Sequence, residues 1–355
     1  MPYLSKLLKK NVNIYSLRAK KNLYTYLKKL TKHHFYKCKE YKNILNSEKI
    51  NIDKFKNLEQ IPYLPADLFK WYSIKSISNN KIYKTLNSSG TSSQIRSKIY
   101  LDKETSNLQS KVLMKIVNSI TKSDRIPMII IDTPKIFKDN LSYSARVAGV
   151  LGFSIFSTEK LFLFDNNMNI NYKDLNLFLK KFKNQKILLF GFTYIIWKYF
   201  YKNFRKLKNI DLSNGILIHG GGWKKLNNEK ISNKEFKDKL KKKFKIKNIY
   251  NYYGMVEQTG SIFFECKKSF FHPSIFNDVI IRDKISLKPK SIGENGVVQS
   301  LSILPLSYPG HSILTEDEGI IIGLDGCKCG IRGKYFKILG RIEKAEIRGC
   351  SDTYE

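Results

Sequence analysis

Residues 215–225 read GILIHGGGWKK, an apolar run that ends in His219 and three consecutive glycines. A short apolar run bounded by turn residues is typical of a buried strand. Glycines directly after such a strand leave room for a planar or phosphorylated ligand at the carboxyl edge of the sheet, where open α/β sheets bind ligands. The stretch therefore predicts an α/β fold with a ligand-binding edge.

The same pattern extends through the middle of the chain. Further buried-strand candidates are 128–132 (MIIID), 186–192 (KILLFGF) and 248–254 (NIYNYYG), and helices are predicted at 103–122, 141–151, 172–184, 193–208 and 229–244. Strands that alternate with helices predict an α/β sheet with crossover connections. We expect four regions: a helical N-terminal region (1–80), an α/β core (81–276), a β-rich portion (277–341) with strands near 297–304 and 319–324, and a C-terminal arm (342–355).

Composition excludes several classes of protein. The 355 residues are 42% hydrophobic, as in a globular protein. No apolar run is long enough to span a membrane, and the basic N-terminus lacks the apolar core of a secretory signal, so we expect a cytoplasmic protein. The formal net charge of +34 raises the alternative of a non-catalytic, nucleic-acid-associated protein. Lysines scattered evenly along the chain, without an RNA-binding or zinc-finger motif, favour compositional drift instead.

Two more stretches have the residue types of a nucleotide site. Residues 85–102 (TLNSSGTSSQIRSKIYLD) contain a small, hydroxyl-rich turn whose backbone N–H groups could approach a phosphate, although such turns are more often ordinary loops. Residues 250–260 (YNYYGMVEQTG) place Tyr253, Gly254 and Glu257 at a strand end. A tyrosine can stack on a base, and a glutamate can hold Mg²⁺.

The cysteines form another candidate site. Cys266 and His272 lie close together in sequence, and Cys327 and Cys329 form a tight Cys-Lys-Cys-Gly turn. Three thiolates and one imidazole make a complete tetrahedral zinc set. The alternative is a group of unrelated cytosolic thiols. Cys38 lies in a Lys-rich helical segment and is expected to be inert, and His33 and His34 of that segment are predicted to be exposed.

The ordered motifs resemble those of the adenylate-forming acyl synthetase superfamily: Ser-Ser-Gly-Thr, Gly-Gly-Gly, Tyr-Gly-Met-x-Glu, ILTEDEG (313–319) and LGRIEKAEIRG (339–349). HGGGWK and the terminal AEIRGC are similar to the narrower family of LuxE-type acyl-protein synthetases. The resemblance covers about residues 60–355. It implies an α/β adenylate-forming domain with a β-rich C-terminal part. A similar Cys/His arrangement in phenylacetate–coenzyme A ligases supports the zinc hypothesis.

The resemblance also implies roles for individual residues. Asp317 would bind the ribose hydroxyls, Glu257 would lie near Mg²⁺, and Arg341 would stand at a hinge. His219 is the best histidine candidate for the site because it opens the triple-glycine turn. The residues expected to bind ATP are Ser88, Ser89, Gly90, Thr91, Ser92 and Ser93 at the phosphates, with Gly220, Gly221, Gly222, Tyr253 and Gly254 beside the adenine.

The C-terminus departs from the superfamily pattern. Only 14 residues follow Arg341, so we expect the usual mobile C-terminal domain to be missing, which leaves the adenylation lysine of that domain unassigned. Lys224 and Lys344 are weak substitutes for that lysine. Near the C-terminus, Arg348 lies two residues before Cys350 and would favour its thiolate, and Gly349 adds backbone freedom. In the acyl-protein synthetases, a cysteine at this place takes the acyl group.

The sequence thus predicts an ATP- and Mg²⁺-dependent ligase. It would activate a carboxylic acid, most simply a fatty acid, as acyl-AMP and pass the acyl group to Cys350, with an acyl reductase or another acceptor protein as partner. The second hypothesis is an acyl- or aryl-coenzyme A ligase. The third is the non-catalytic nucleic-acid-associated protein; our main hypothesis involves neither nucleic acid nor a membrane span.

Overall fold

The computed structural model describes residues 2–88, 95–137, 144–203, 210–222 and 231–342. These fall into two compact units. The first contains residues 2–88, 95–116 and 254–342, and the second contains the described residues between 117 and 253. Within the described part of the chain, no helix has the length and apolar character needed to cross a membrane.

The described helices agree with the helical periodicity of the sequence. They are α1 (Pro2–Leu7), α2 (Leu17–Lys20), α3 (Leu23–Lys37), α4 (Lys39–Ser47), α5 (Leu68–Trp71), α6 (Lys103–Thr121), α7 (Ala145–Ser154), α8 (Tyr172–Lys181), α9 (Thr193–Ile195) and α10 (Asn233–Phe244). The region predicted as one helix from 193 to 208 begins with α9 and continues as a π-helical turn over Ile196–Tyr201. Short 3₁₀ turns occur at Leu58–Gln60, Asn79–Lys81, Pro134–Phe137 and Val256–Gln258.

The second unit is built on a parallel sheet. Its strands are β4 (Ile126–Ile130), β5 (Ser157–Phe162), β6 (Ile187–Phe192), β7 (Gly215–Gly220) and β8 (Asn248–Tyr253). They lie in the order β5-β4-β6-β7-β8, with every neighbouring pair parallel. Every residue of β4, β6 and β7 is buried, which explains their continuous apolar sequences. The carboxyl ends of these strands consequently lie on one edge of the sheet.

Two helices of this unit begin at serine residues that cap their N-termini. Ser232 caps α10, where its Oγ accepts a hydrogen bond from the N–H of Glu235 (3.1 Å). The spacing Ser-x-x-Glu is that of a capping box. Ser144 caps α7 in the same way through the N–H of Val147 (3.2 Å). Each cap satisfies a backbone donor that the helix itself leaves without a partner.

The first unit is mainly antiparallel. Its strands are β1 (Leu64–Pro65), β2 (Lys84–Asn87), β3 (Lys98–Leu101), β9 (Phe263–Glu265), β10 (Phe271–His272), β11 (Asn277–Arg282), β12 (Asn295–Ser302), β13 (Ser312–Leu324) and β14 (Lys334–Arg341). The order is β11-β12-β13-β14-β10-β9, with β1 added parallel to β13 and a separate β2–β3 hairpin. The β-rich character predicted for the C-terminal portion belongs to this sheet.

The prediction that His33 and His34 are exposed is wrong. His34 is fully buried, and its ring stacks on that of His311 with the centroids 5.0 Å apart. Its Nε2 donates to the carbonyl oxygen of Pro305 (3.1 Å), while Nδ1 pairs with the hydroxyl of Ser76 (2.8 Å). His33 is half-buried. The helix pattern could not reveal this, because the buried partners come from residues far away in sequence.

Candidate active site and cysteine–histidine cluster

In the second unit, β7 brings His219 to the carboxyl edge of the sheet. The imidazole is buried, and its Nδ1 lies 3.0 Å from Thr193 Oγ1. The same hydroxyl donates to the carbonyl oxygen of Gly220 (3.1 Å). Since Thr193 has a single hydroxyl proton, the hydroxyl must accept from His219, whose Nδ1 therefore carries the proton. The Nε2 atom is then an acceptor, with no partner among the described residues.

Burial, followed by the charge of Lys237, lowers the pKa of His219 to about 3. The imidazole is therefore neutral around pH 7 and is not a proton donor in its charged form. Its lone pair on Nε2 can instead receive a hydrogen bond. This chemistry suits orientation of a ligand better than proton transfer.

Gly220 and Gly221 meet different requirements of the turn after β7. A Cβ atom at Gly220 would lie 2.4 Å from the ring of Tyr252, so only glycine lets the two strands pack this closely. Gly221 has a φ of +78°, which favours glycine. A Cβ atom at Gly222 would meet none of the described residues within 4 Å. Tyr253 ends β8 and is half-buried.

In the first unit, Glu257 lies in a tightly fixed turn. Tyr308 donates its hydroxyl hydrogen to the carbonyl oxygen of Glu257 (2.8 Å). The amide of Gln258 donates to the carbonyl oxygens of Ser300 and Gly310, each at 2.9 Å. The Glu257 side chain is itself buried, and burial raises its pKa. A nearby cation would stabilise the ionised carboxylate at this position.

Asp317 and Arg341 are directly opposite each other on β13 and β14. Arg341 Nε lies 3.8 Å from Asp317 Oδ1, and its Nη1 lies 3.3 Å from Glu316 Oε2. On its other side, Glu316 forms a hydrogen bond with the carboxyl group of Asp67. Burial, and then Asp67, raise the pKa of Glu316 to about 7. Arg341 is thus shared between two adjacent carboxyl groups.

The hydroxyl-rich turn is described only at its base. Ser88 is buried beside the β2–β3 hairpin, and its N–H donates to the carbonyl oxygen of Ser97 (3.0 Å). Its Oγ accepts from the N–H of Ser97 (2.8 Å). The remaining predicted residues of this turn (Ser89, Gly90, Thr91, Ser92 and Ser93) lie outside the described residues, as do Lys224, Lys344 and Cys350.

The structure brings Cys266, His272, Cys327 and Cys329 together. One ligand atom from each residue lies within 4.8 Å of all the others. The Sγ atoms of Cys266 and Cys327 are 3.9 Å apart, and Cys329 Sγ is 3.4 Å from His272 Nε2. The backbone N–H groups of Lys268 and Ile331 donate to Cys266 and Cys329, each at 3.4 Å.

These separations are those of a tetrahedral zinc site. Zn–S bonds of about 2.3 Å give S–S edges of about 3.8 Å, and a Zn–N bond of about 2.0 Å gives S–N edges of about 3.5 Å. Hydrogen bonds to the sulfur atoms of Cys266 and Cys329 would stabilise thiolates. The donor set and its spacing therefore fit Zn²⁺.

Two polar pairs, Asp67 with Glu316 and Asp132 with Arg146, were not identified from the sequence. Glu316 is part of the quoted ILTEDEG motif, but nothing in that motif indicates its contact with Asp67. Asp132 and Arg146 form a fully buried ion pair in the second unit, with Arg146 Nε 2.8 Å from Asp132 Oδ2. Asp132 follows β4, and Arg146 lies in the first turn of α7, so only the fold places them together.

Cys38 is buried between α3 and α4, and burial raises the pKa of its thiol to about 11. The thiol therefore stays protonated, in keeping with the expectation that it is inert. His311 is also buried and contacts Thr31 Oγ1 through Nε2 (2.9 Å).

Comparisons with known proteins agree with this architecture. A 2-hydroxyisobutyryl-CoA ligase in an open conformation superposes with a TM-score of 0.65, covering 93% of this chain and 76% of the ligase at 13% identity. A post-adenylation structure of that ligase gives a TM-score of 0.63 and covers 92% of this chain and 68% of the other. At such low identity, these similarities concern the fold and confirm the predicted α/β class.

Sequence relatives point to a narrower group. The chain is 27% identical to the long-chain-fatty-acid–luciferin-component ligase of Aliivibrio fischeri over 305 residues, covering 81% of this chain and 76% of the relative. It is 23% identical to the protein of the same name from Vibrio harveyi, covering 95% of this chain and 88% of the relative. A family profile described as "Acyl-protein synthetase, LuxE" matches residues 13–355.

The profile covers nearly the whole chain, including both units and the cysteine–histidine cluster. The resemblance seen in the ordered sequence motifs is therefore confirmed, together with the assignment as an adenylate-forming ligase. A non-catalytic nucleic-acid-associated protein does not fit a family of synthetases. This chain belongs to the LuxE family of acyl-protein synthetases.

Proposed function

We propose that this protein activates a long-chain fatty acid with ATP and then transfers the acyl group to its own Cys350. The observation that carries the proposal is the family match, which extends to residue 355 and therefore includes Cys350. The names of both relatives supply the class of acid. The partner would be an acyl reductase or another protein that accepts the acyl group, in the reducing environment of the cytoplasm.

In the first step, a carboxylate oxygen attacks the α-phosphorus of ATP and pyrophosphate leaves, which gives acyl-AMP. Asp317 would accept hydrogen bonds from the ribose hydroxyls, since an ionised carboxylate is an acceptor only. Glu257 would lie near Mg²⁺, which prefers oxygen ligands and is usually held by one or two carboxylates together with phosphates. The buried, raised-pKa carboxyl of Glu257 fits this assignment, because a cation would offset its desolvation.

The second unit would contribute to binding through the turn after β7. Gly221 and Gly222 are exposed at the end of β7, so their backbone groups would be accessible to a ligand, and with Gly220 and Tyr253 they would flank the adenine. His219 would orient a ligand by accepting a hydrogen bond at Nε2. In the first unit, Ser88 would fix one end of the turn assigned to the ATP phosphates, and Arg341 would mark the hinge.

In the second step, the Cys350 thiolate attacks the carbonyl carbon of acyl-AMP. A thioester bond forms, the bond to the AMP oxygen breaks, and AMP leaves with the electron pair. The thiol proton is released to solvent when the thiolate forms. Adenylation precedes this step and does not require Cys350.

The test combines two measurements on the full-length chain. Wild-type protein should catalyse fatty-acid-dependent exchange of pyrophosphate into ATP, and radiolabelled acid with ATP should give a hydroxylamine-labile acyl-protein. Cys350→Ala should keep the exchange and lose the label, because only the transfer step needs the thiol. Cys38→Ala is the matched control and should retain both activities.

The competing results are distinct. A label that persists in Cys350→Ala contradicts Cys350 as the acceptor. Acyl-coenzyme A formed by this variant at the wild-type rate would instead identify a coenzyme A ligase. If no acid in a panel of fatty and aromatic acids supports pyrophosphate exchange, the proposed adenylation itself is wrong.

We also propose that Cys266, His272, Cys327 and Cys329 hold one structural Zn²⁺. With four protein ligands the coordination would be complete, so the ion would stabilise the fold and have no open position for catalysis. It would connect the β9–β10 region to the turn between β13 and β14.

A further inference from the structure

The loop between β12 and β13 is buried along its whole length. Residues 303–311 form neither a helix nor a strand, yet every one of them is buried. Because buried backbone groups need hydrogen-bond partners, other parts of the chain must supply them to such a loop. Carbonyl oxygens of the loop accept from groups outside it: Pro305 from His34 Nε2 (3.1 Å), Leu306 from His33 Nε2 (3.1 Å), Ser307 from the N–H of Ser76 (2.7 Å) and Gly310 from the amide of Gln258 (2.9 Å). These contacts fix the loop on α3, on the segment after α5 and on the turn that contains Glu257.

Tyr308 connects this loop to Glu257. Its hydroxyl donates to the carbonyl oxygen of Glu257 (2.8 Å), and burial raises the pKa of Tyr308, so the donor proton is retained. The ring is fully buried and packs edge-on against Phe69, with the centroids 6.1 Å apart. The side chain of Gln109 also lies near the hydroxyl. A ring packed this closely has little freedom to move, so it holds its acceptor in a defined position.

Gly310 allows the loop to approach the turn at Glu257. A Cβ atom at this position would lie 2.7 Å from the carbonyl oxygen of Glu257 and 2.2 Å from the ring of Tyr308. The amide of Gln258 donates to the carbonyl oxygens of Ser300 and Gly310, and its oxygen accepts from Ser300 Oγ (2.6 Å). These contacts fix the residue after Glu257, whereas Tyr308 fixes the peptide group of Glu257 itself.

The carboxyl group of Glu257 has other neighbours, because it lies near the hydroxyl of Ser97 and interacts with the charges of Arg341 and Asp67. We propose that Tyr308 is a positioning residue for the carboxylate assigned to Mg²⁺: its hydrogen bond fixes the backbone of Glu257 and thereby the point from which the carboxylate reaches the ion. Mg²⁺ demands near-ideal octahedral geometry, so a small displacement of the carboxylate weakens its binding. The inference rests on the proposed function, since it assumes that Glu257 lies near Mg²⁺.

The test measures ATP binding by calorimetry in the absence of fatty acid, with and without saturating Mg²⁺. The ratio of the two dissociation constants is the gain in affinity that Mg²⁺ provides, and it involves no catalytic turnover. Tyr308→Phe removes only the hydroxyl and should reduce this gain about tenfold, the change expected from one hydrogen bond. The affinity of the variant for ATP without Mg²⁺ should stay close to that of the wild type.

Tyr24→Phe is the matched control. Tyr24 also donates its hydroxyl to a backbone carbonyl oxygen of the first unit, that of Phe55 (2.5 Å). Both variants should lower the thermal midpoint slightly, but only Tyr308→Phe should reduce the gain from Mg²⁺. Glu257→Gln removes the carboxylate through which Tyr308 is proposed to act. In that background Tyr308→Phe should cause no further loss, because two changes to one interaction are not additive.

Three results would overturn the inference: an unchanged gain in Tyr308→Phe, an equal loss in Tyr24→Phe, or a full additional loss when Tyr308→Phe is combined with Glu257→Gln. In each case, a gain that Glu257→Gln alone removes would leave the proposed role of Glu257 intact. A gain that persists in Glu257→Gln would instead contradict that role and the inference together. Pyrophosphate exchange by the wild type tests the proposed adenylation separately.

Discussion

At His219, the hydroxyl of Thr193 decides which ring nitrogen carries the proton. The lowered pKa keeps the ring neutral around pH 7, and Nε2 is left as a buried acceptor to which none of the described residues donates. A buried acceptor without a donor is unfavourable by about 1–3 kcal/mol. A ligand that supplies a donor would recover this energy, so His219 is suited to recognition.

Two substitutions test the roles of the two ring nitrogens of His219 separately. Asn places an amide near the position of Nδ1, so His219→Asn should keep the contact with Thr193 and a thermal midpoint near that of the wild type. Loss of the Nε2 acceptor should raise the KM for ATP or for the acid by about tenfold, as expected for one hydrogen bond.

His219→Gln is the matched control. Its longer side chain reaches the Nε2 position, so it should keep more of the substrate affinity and lose thermal stability through the lost Thr193 contact. Pyrophosphate exchange at varied concentrations of ATP and of acid gives the two KM values, and thermal unfolding gives the midpoint. Wild-type KM values for both substrates in His219→Asn would contradict a ligand-binding role for Nε2.

At the scale of elements, the cysteine–histidine cluster connects short β segments that have little secondary structure of their own. β10 contains two residues and β9 contains three. Such short strands depend on other interactions for their stability. A metal ion bound both by residues of the β9–β10 region and by residues of the turn between β13 and β14 would supply these stabilising interactions.

Purified protein should therefore contain about one zinc ion per chain, and a strong chelator should lower its thermal midpoint, because metal binding is coupled to folding. Cys327→Ser should lose the metal and reproduce the lower midpoint without chelator. Cys38→Ser changes a buried thiol outside the cluster and should retain the metal. Metal-free wild-type protein with unaltered stability in chelator would exclude the site.

The molecule as a whole has a net charge of +34, which concerns its stability and solubility more than its fold. Many lysines lie on exposed faces, as on α10, where the exposed pairs Lys239–Glu235 and Lys241–Asp238 contribute little. Repulsion among the remaining charges should therefore oppose the compact state.

The thermal midpoint should consequently rise as NaCl is increased from about 20 mM to about 300 mM, a range over which the Debye length falls from roughly 20 Å to below 8 Å. Differential scanning calorimetry at fixed pH and fixed zinc content measures this. An added neutral osmolyte serves as the control for non-ionic effects. A midpoint that falls with salt would show that attractive ion pairs dominate.

Much of the fold could be predicted from the sequence, because its main elements have strong local signals. The predicted strand at 186–192 is observed as β6 over Ile187–Phe192, and the predicted helix at 103–122 as α6 over Lys103–Thr121. Ordered motifs predicted the family, which the profile confirms. Apolar periodicity, capping residues and motif order are all properties of nearby residues, which a sequence displays directly.

Other features depended on contacts between distant residues. The burial of His34, the ion pair of Asp132 with Arg146 and the pairing of Asp67 with Glu316 arise only when separate elements pack together. The sequence by itself determined the elements, the family and the residue types of the site. Only the tertiary structure decided burial and the ionisation states of His219 and Glu316, because desolvation and neighbouring charge depend on distance in space and not on distance along the chain.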